Sequence, residues 1–498
     1  MPDAASSSIW LAAPVLLPLL TALLASFTAS RLRAALCAAG TLATAGSSLF
    51  VLARVVAEGP LRHRLGGWGA PLGIDLFADG LSVLMLAMTA VIGGAISLYA
   101  SAYFTSAHER RSFWPLWFLL WTGLNALFLT ADLFNFYVTL EVISLSAVAL
   151  VAMKGGPVAL PAAVRYLFVA MLGSLAYMGG VALVYAQTGV LDLHLLTGRL
   201  GEGPLGRAAL ALLIGGLLAK TALFPLHLWL PPAHSSAPAP VSAALSALVV
   251  KASFYILLRT SFSAFSDAAL AAVGPVLGVL GAATVLWGSF QALTQDRLKL
   301  MIAYSTVAQI GYLFLLFPVA MPGAGDAAWQ SKAWIAGIFH ALSHACAKAA
   351  MFMAAGAILH AVGRDDKNSL RGLGERMPVT ISALATAGIS IMALPPSGGF
   401  IAKWMLLVAA IRTDQWWWAP IMIGGGLLAA AYIFRMIRYA FLSTPDGAPP
   451  LHPVPRRLEF TALALGLLAL ALGLASVFPI AVAAIGAPFP ENWFMEAL

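Results

Sequence analysis

Charge is scarce in this chain. Of 498 residues, only 10% are Asp, Glu, Lys or Arg, while 61% are hydrophobic. Soluble domains carry about a quarter charged residues, so a soluble protein is excluded. Cysteine is nearly missing too. Cys37 and Cys346 both fall in apolar stretches, and two such residues build neither a disulfide framework nor a zinc site. There is no basic run and no nucleic-acid motif. The net charge of +8 is scattered over short loops and reads as topological, so nucleic acid is not an expected partner. Walker loop, dinucleotide fingerprint, C-x-x-C and nucleophile elbow are all absent. No catalytic or redox centre, cofactor or bound metal is expected of the chain itself. The start, Met-Pro-Asp, lacks the basic region of a cleaved signal peptide. Residues 9–29 read as a first membrane span.

What the chain has in abundance is apolar segments of about 20 residues, the length that crosses a bilayer as helix. Fourteen are predicted: 9–29, 34–57, 76–104, 113–131, 133–153, 163–187, 208–229, 238–260, 268–292, 300–320, 333–361, 379–411, 415–443 and 458–487. Each must satisfy its own backbone hydrogen bonds, and none alternates as a barrel strand would. The prediction is an all-α polytopic protein forming a single membrane domain, 1–498. Loops after odd-numbered spans hold 16 of the arginines and lysines, and loops after even-numbered spans hold 8. Arg31, Lys299 and Arg364 are in the first set; Arg62 and Arg259 are in the second. The bias places odd loops in the cytoplasm and both termini on the outer, periplasmic side.

Four lysines, Lys220, Lys251, Lys348 and Lys403, remain inside apolar stretches. A charge at mid-bilayer costs about 2.5–3.5 kcal/mol on insertion scales, which restricts such residues to ion paths, proton relays and counter-ions. Two spans carry helix breakers beside a lysine. The seventh reads L-L-A-K-T-A-L-F-P and the twelfth A-L-P-P-S-G-G-F-I-A-K-W. Broken helices are favoured where a span lines a polar cavity. They lie five spans apart, and an odd-numbered repeat reverses direction across the membrane. Spans four to eight (113–260) and nine to thirteen (268–443) are therefore expected to form an inverted pair, flanked by spans one to three (1–112) and span fourteen (458–487).

Glu141 is the one carboxylate comparably placed. Its functional reading is a counter-ion to Lys220 that switches when a proton arrives; the alternative is a static ion pair. His340, His344 and Lys348 are spaced i, i+4, i+8 and share one helical face. Histidine titrates near neutrality, and lysine can do so when desolvated, so together they form a stepwise proton wire. Metal binding by H-x-x-x-H lacks further ligands nearby, and a plain interhelical bond is the alternative for His340. Lys251 can pass protons between Lys220 and that face, or else snorkel to an interface. His227 and His234, around the W-L-P-P-A-H-S-S-A-P-A-P turn, read as lying near an aqueous end. Either takes up or releases protons there, or is an ordinary loop histidine. Asp79 and Asp132, at span ends, read as solvated anchors.

Four segments resemble a known family: L-G-G-W-G-A-P-L-G-I-D-L-F-A-D-G-L-S, P-L-H-L-W-L-P-P-A-H-S-S-A-P-A-P-V-S-A-A-L-S, D-R-L-K-L-M-I-A-Y-S-T-V-A-Q-I-G-Y and G-G-F-I-A-K-W. They look like the antiporter-like membrane subunits of respiratory complex I and Mrp cation/proton antiporters, over nearly the whole chain. G-G-W, the fourteen spans and lysine in span twelve look most like the D-type subunit of Mrp antiporters. The resemblance implies fourteen helices, two inverted five-helix repeats with helices seven and twelve broken, and a central hydrophilic axis. It assigns Glu141 and Lys220 to the family's glutamate–lysine pair, Lys251 to its middle lysine, His340, His344 and Lys348 to its relay, and Lys403 to its terminal lysine. Pro232 departs from the relatives' W-L-P-D-A-H, which puts an acid's role there in doubt. The chain also lacks the lateral helix of the longest members.

The resulting expectation is a proton-translocating subunit of a multisubunit Na+ or K+/proton antiporter in a bacterial inner membrane, with other membrane subunits and the lipid bilayer as partners. The alternative is the equivalent subunit of a complex I-type oxidoreductase or membrane-bound hydrogenase, driven by redox partners. A third reading, from another class, is a non-transporting scaffold, which has no need of five costly intramembrane charges. No acidic cluster fit to hold sodium lies inside the spans.

Overall fold

The computed structural model describes residues 8–323, 325–444 and 450–489, except the side chain of Arg31. The chain termini, whose side of the membrane was predicted, lie outside the described residues.

Helices α1 (Ala13–Phe27) and α2 (Ser30–Glu58) lead to a small antiparallel hairpin, β1 (Leu61–Arg64) and β2 (Asp75–Ala78). Next come α3 (Gly80–Tyr103), α4 (Ala107–Leu129), α5 (Leu133–Ala152) and α6 (Gly156–Thr188). Then α7 (Gly203–Thr221) breaks and resumes as α8 (Leu230–Ser236). After α9 (Ala239–Ala244), one π-helical turn, Leu245–Val249, runs into α10 (Val250–Ser263). Helices α11 (Asp267–Thr294), α12 (Leu298–Phe314), α13 (Leu316–Ala320) and α14 (Ala327–Val362) follow. After the short α15 (Leu373–Arg376), α16 (Pro378–Met392) breaks and resumes as α17 (Gly398–Arg412). Helices α18 (Ala419–Ala440), α19 (Arg456–Leu474) and α20 (Val477–Ala484) end the fold.

Sequence signals start these helices where side chains can satisfy free N–H groups. Asp79 caps α3, Ser106 and Glu109 form a capping box on α4, and Asp326 caps α14. Gly189 and Gly363, both left-handed, close α6 and α14. Thirteen stretches among the described residues are long and apolar enough to cross a membrane. The twelfth span is broken as its Pro-Pro-Ser-Gly-Gly segment predicts, into α16 and α17 of fifteen residues each, so neither half counts among those thirteen.

Burial sorts the helices. Ala239–Ser263 is enclosed on all sides, and α12 and α14 nearly so. Phe168, Leu172 and Leu175 on α6, Val276 and Val279 on α11, and Leu427 on α18 face outward. In a bilayer those apolar surfaces meet lipid. Two helix pairs approach through glycine: a Cβ on Gly216 (α7) would overlap the Gly173 carbonyl of α6, and one on Gly311 (α12) the Gly281 carbonyl of α11.

The two breaks have one backbone geometry. Ala222 and Ala393 are both left-handed, with φ of 61° and 59°. The N–H of Ala222 bonds the Ala219 carbonyl and that of Leu223 the Leu218 carbonyl; Ala393 bonds Ser390 and Leu394 bonds Ile389 at the same offsets. Leu226 to Leu223 and Ser397 to Leu394 close both turns.

Three charged residues differ from their predicted surroundings. Arg259, expected in a loop, and Asp79, expected as a solvated anchor, form a buried ion pair. Arg259 Nη2 donates to Asp79 Oδ1 at 2.7 Å and to Ser82 Oγ at 2.8 Å, while Asp79 also caps α3. Lys299, counted with the odd loops, is 2% exposed at the start of α12. Removing Lys299 and Arg259 leaves the two-to-one loop bias intact.

Candidate functional site

The basic residues of the spans line up through the buried helices. At one end, Lys220 occupies the last turn of α7, where the partial negative charge of a helix's carbonyl end favours a cation. Its Nζ lies 3.5 Å from Glu141 Oε1 but 2.7 Å from Ser144 Oγ, both on α5. Ser174 of α6 donates to the same Glu141 oxygen. The ammonium is thus shared between a charged and a neutral acceptor, and the pair is a loose one. A small cavity bounded by Ser144, Tyr166, Lys220, Trp229 and Ser253 opens from it toward α10. Beside Lys220, Thr221 Oγ1 donates to Ser253 Oγ at 2.9 Å. Ser253 lies two residues beyond Lys251.

Lys251 is fully buried. Its Nζ donates to the Ser246 carbonyl, made available by the π-helical turn that precedes α10. Ser246 Oγ meets Thr306 Oγ1 of α12 at 2.8 Å, and Thr306 bonds the Ile302 carbonyl at 3.0 Å. Lys348 Nζ reaches that same carbonyl at 3.2 Å and also donates to Ser305 Oγ. Lys251 and Lys348 are therefore joined by a run of hydroxyl and carbonyl oxygens across α12.

From Lys348 the face of α14 continues through two histidines. The His340 and His344 rings lie parallel, with centroids 5.8 Å apart and planes within 6°. Both ring nitrogens of His344, Nδ1 of His340 and the side-chain amide of Gln309 have no hydrogen-bond partner among the described residues. His340 Nε2 is 3.3 Å from the Gln309 carbonyl. Buried polar atoms left this way are costly unless water serves them. Beyond His340 stands Tyr312, whose ring lies 3.9 Å from Lys403 Nζ. Lys403, on α17, donates to the Ile391 carbonyl at 3.1 Å, in the last turn of α16. Among the described residues no carboxylate pairs with Lys251, Lys348 or Lys403.

The W-L-P-P-A-H segment lies deeper than predicted. His234 is completely buried, stacked on Phe352 of α14, with neither ring nitrogen bonded among the described residues. His227 sits in the α7–α8 break, where its Nε2 accepts from Trp287 at 3.2 Å. A fifth buried lysine was missed. Lys299 Nζ donates to the Ala237 carbonyl, three residues beyond His234 in sequence. The signal was present in D-R-L-K-L-M-I, where Lys299 is flanked by apolar residues. Its place one residue into the helix disguised it as a loop cation.

A polytopic helical protein with two interrupted spans and a buried run of basic groups between them defines the class. Residues 130–429 match the family described as NADH:quinone oxidoreductase/Mrp antiporter, TM. NADH-quinone oxidoreductase subunit N of Desulforudis audaxviator is 37% identical over 458 residues, 88% of this chain and 89% of that protein. The D subunit of the Na(+)/H(+) antiporter of Bacillus subtilis is 29% identical over 471 residues, 93% of each. A chain in the solved Mrp complex from Dietzia sp. superposes with a TM-score of 0.87 at 27% identity, over 98% of this chain and 99% of that one. The chain belongs to the antiporter-like membrane subunit family of complex I and Mrp antiporters.

Proposed function

We propose that the chain translocates protons along the axis Glu141–Lys220–Lys251–Lys348–His344–His340–Lys403, as one subunit of a multisubunit monovalent cation (Na+ or K+)/proton antiporter. The observation that carries this reading is the run of buried basic side chains linked by hydroxyls, carbonyls and unpartnered ring nitrogens. Lysines held by neutral oxygens can change charge without leaving a carboxylate unpaired. His234 and Lys299 extend the axis toward the Asp296–Arg297 loop, as a branch by which protons reach Lys251 and Lys348. His227, in the first break, is a second candidate for proton uptake or exit. The matching backbone of the two breaks supports a division into repeats 113–260 and 268–443, and the loop bias supports odd loops in the cytoplasm with both termini outside.

Full-length similarity to the antiporter's D subunit and to a chain of the Mrp complex supports the antiporter assignment. The identity with subunit N favours a second reading, a proton-pumping subunit of a complex I-type assembly. Two measurements separate them. Purify the chain with its partners from the native membrane and identify them, then measure proton flux in vesicles of that complex. Hydrophobic antiporter subunits and a flux driven by a Na+ or K+ gradient are expected. Redox subunits and quinone-dependent flux would establish the second reading, and the absence of any coupled proton flux would leave the scaffold.

A further inference from the structure

A groove of about 600 Å³ opens on the outer surface of the bundle, far from the lysine axis in both residues and chemistry. One wall is α2, where Ala38, Thr41 and Ala45 present short side chains. The opposite wall is α3, where a Cβ added at Gly94 would meet nothing within 4 Å. Trp114 of α4 closes one side. The slot is lined mainly by apolar side chains, with Thr41, Ser97 and Ser101 its uncharged polar ones.

Two arginines, Arg110 in the first turn of α4 and Arg457 in the first turn of α19, flank that mouth. Arg110 is exposed and uses its Nε, not its terminal nitrogens, to bond the Phe104 carbonyl at 2.7 Å. Arg457 is exposed, and among the described residues its guanidinium has no partner. No carboxylate lines the groove. A site with two guanidiniums at the membrane surface and an acyl-width apolar slot beneath complements a phosphodiester joined to a fatty chain.

We propose that this groove binds one anionic phospholipid from the surrounding bilayer. Its phosphate sits between Arg110 and Arg457, and one acyl chain lies along α2 and α3 past Gly94. Both arginines belong to loops after odd-numbered spans, so the lipid comes from the leaflet that carries the positive loops. The absence of an acid at the mouth selects against a headgroup bearing its own ammonium.

The test uses the complex containing this chain, purified from its native membrane and washed with detergent, with the retained lipid identified by mass spectrometry. Wild type should retain one phosphatidylglycerol or cardiolipin. Arg457→Gln removes the free guanidinium and leaves the Arg110–Phe104 contact intact. Gly94→Leu fills open space in the slot without touching either arginine. Each should lower the retained lipid at least tenfold, and millimolar inorganic phosphate should not displace it from wild type. A photo-crosslinker at Leu42, on the exposed rim, should label lipid. Equal retention in wild type and both variants, retention of a zwitterionic lipid instead, displacement by phosphate alone, or crosslinking to a partner subunit's helix would each overturn the proposal.

Discussion

The ammonium of Lys403 bonds the carbonyl of Ile391, 3.1 Å away across the break between α16 and α17. Counted back from the left-handed alanines, Ile391 stands at the second break where Lys220 stands at the first. Lys220 belongs to the carbonyl end of its half-helix, whereas Lys403 reaches back to it from the next one. Each break thus associates a lysine with the carbonyl end of a half-helix, Lys403 by direct contact and Lys220 by its place in the last turn. Helix ends carry partial negative charge at their carbonyls, so each break offers a lysine a partial counter-charge without a carboxylate.

That arrangement depends on how closely α17 approaches α16. A Cβ on Gly399 would overlap the Ser390 carbonyl, which is backbone and cannot swing aside. Gly399→Ala should push the half-helices apart and carry Lys403 off Ile391. Overpacking of this kind costs about 1–3 kcal/mol. Proton flux in vesicles of the assembled complex should fall at least tenfold. Wild-type flux would show that the Lys403–Ile391 contact is dispensable.

Glu141 and Ser144 divide one ammonium between them. Glu141→Ala leaves Lys220 with Ser144 alone, so the complex should assemble but lose most coupled transport. Ser144→Ala removes the shorter contact. A hydrogen bond to a charged group is worth about 1.5–3 kcal/mol, so about a tenfold loss of flux is expected there also. Near-normal flux in Glu141→Ala would remove the pair from the mechanism.

The Asp79–Arg259 pair is buried and further bonded by Ser82 and Tyr255, which marks it as structural. Breaking a buried pair by removing one partner costs about 3–5 kcal/mol, while replacing both with apolar residues is often neutral. Asp79→Ala should lower the Tm of the complex and its amount in the membrane. The double change Asp79→Leu with Arg259→Met should recover much of both and retain transport. A double variant that assembles fully yet conducts no protons would move this pair into the pathway.

The architecture was legible where a residue's cost in a membrane exceeds every local effect. Apolar runs of bilayer length leave helix as the only form, and Lys220, Lys251, Lys348 and Lys403 stood out as charges with no aqueous neighbour in sequence. Legibility failed at span ends. Asp79, Arg259 and Lys299 each lie within a turn or so of a loop, where a solvated residue and a buried one look alike in sequence. Only the packing of α3 against α10, and of α12 against the turn at Ala237, decides between them. The hydroxyl links through Ser246, Thr306 and Ser253 were equally silent, because serine and threonine in a span also bond their own helix. Thr306 does both.

Asp132 lies outside the spans, capping α5 through the Asn135 N–H at 2.8 Å. Burial pushes its carboxyl above the usual carboxylate range, and the neighbouring Asp192 adds to this against the backbone bonds that oppose it. A raised pKa in the folded state means that the folded protein holds this proton more tightly than the unfolded chain. The stabilisation is complete below the ordinary aspartate value and is lost as pH rises through the raised one. Asp132→Asn keeps the capping oxygen and removes the charge. It should raise the Tm at pH 8 and leave it unchanged near pH 4, measured on the detergent-solubilised complex. A lower Tm at pH 8 would show that the ionised carboxylate is the stabilising form.

Lys403 offers the sharpest test of proton carriage. Its Nζ faces the Tyr312 ring on one side and the Ile391 carbonyl on the other, with His340 on the far side of Tyr312. Lys403→Ala removes both contacts and the charge. Lys403→Arg keeps a cation that can still bond Ile391 and lie against the Tyr312 ring, but a guanidinium does not release its proton at accessible pH. If Lys403 must give up a proton, arginine should damage transport nearly as much as alanine, at least tenfold in cation-dependent flux, while insertion and assembly persist. If Lys403 serves only as a fixed positive charge at the second break, arginine should restore transport and alanine should not. Parallel flux measurements on the two variants, at equal amounts of assembled complex, distinguish a carrier from an electrostatic fixture, and wild-type rates with arginine would exclude the carrier.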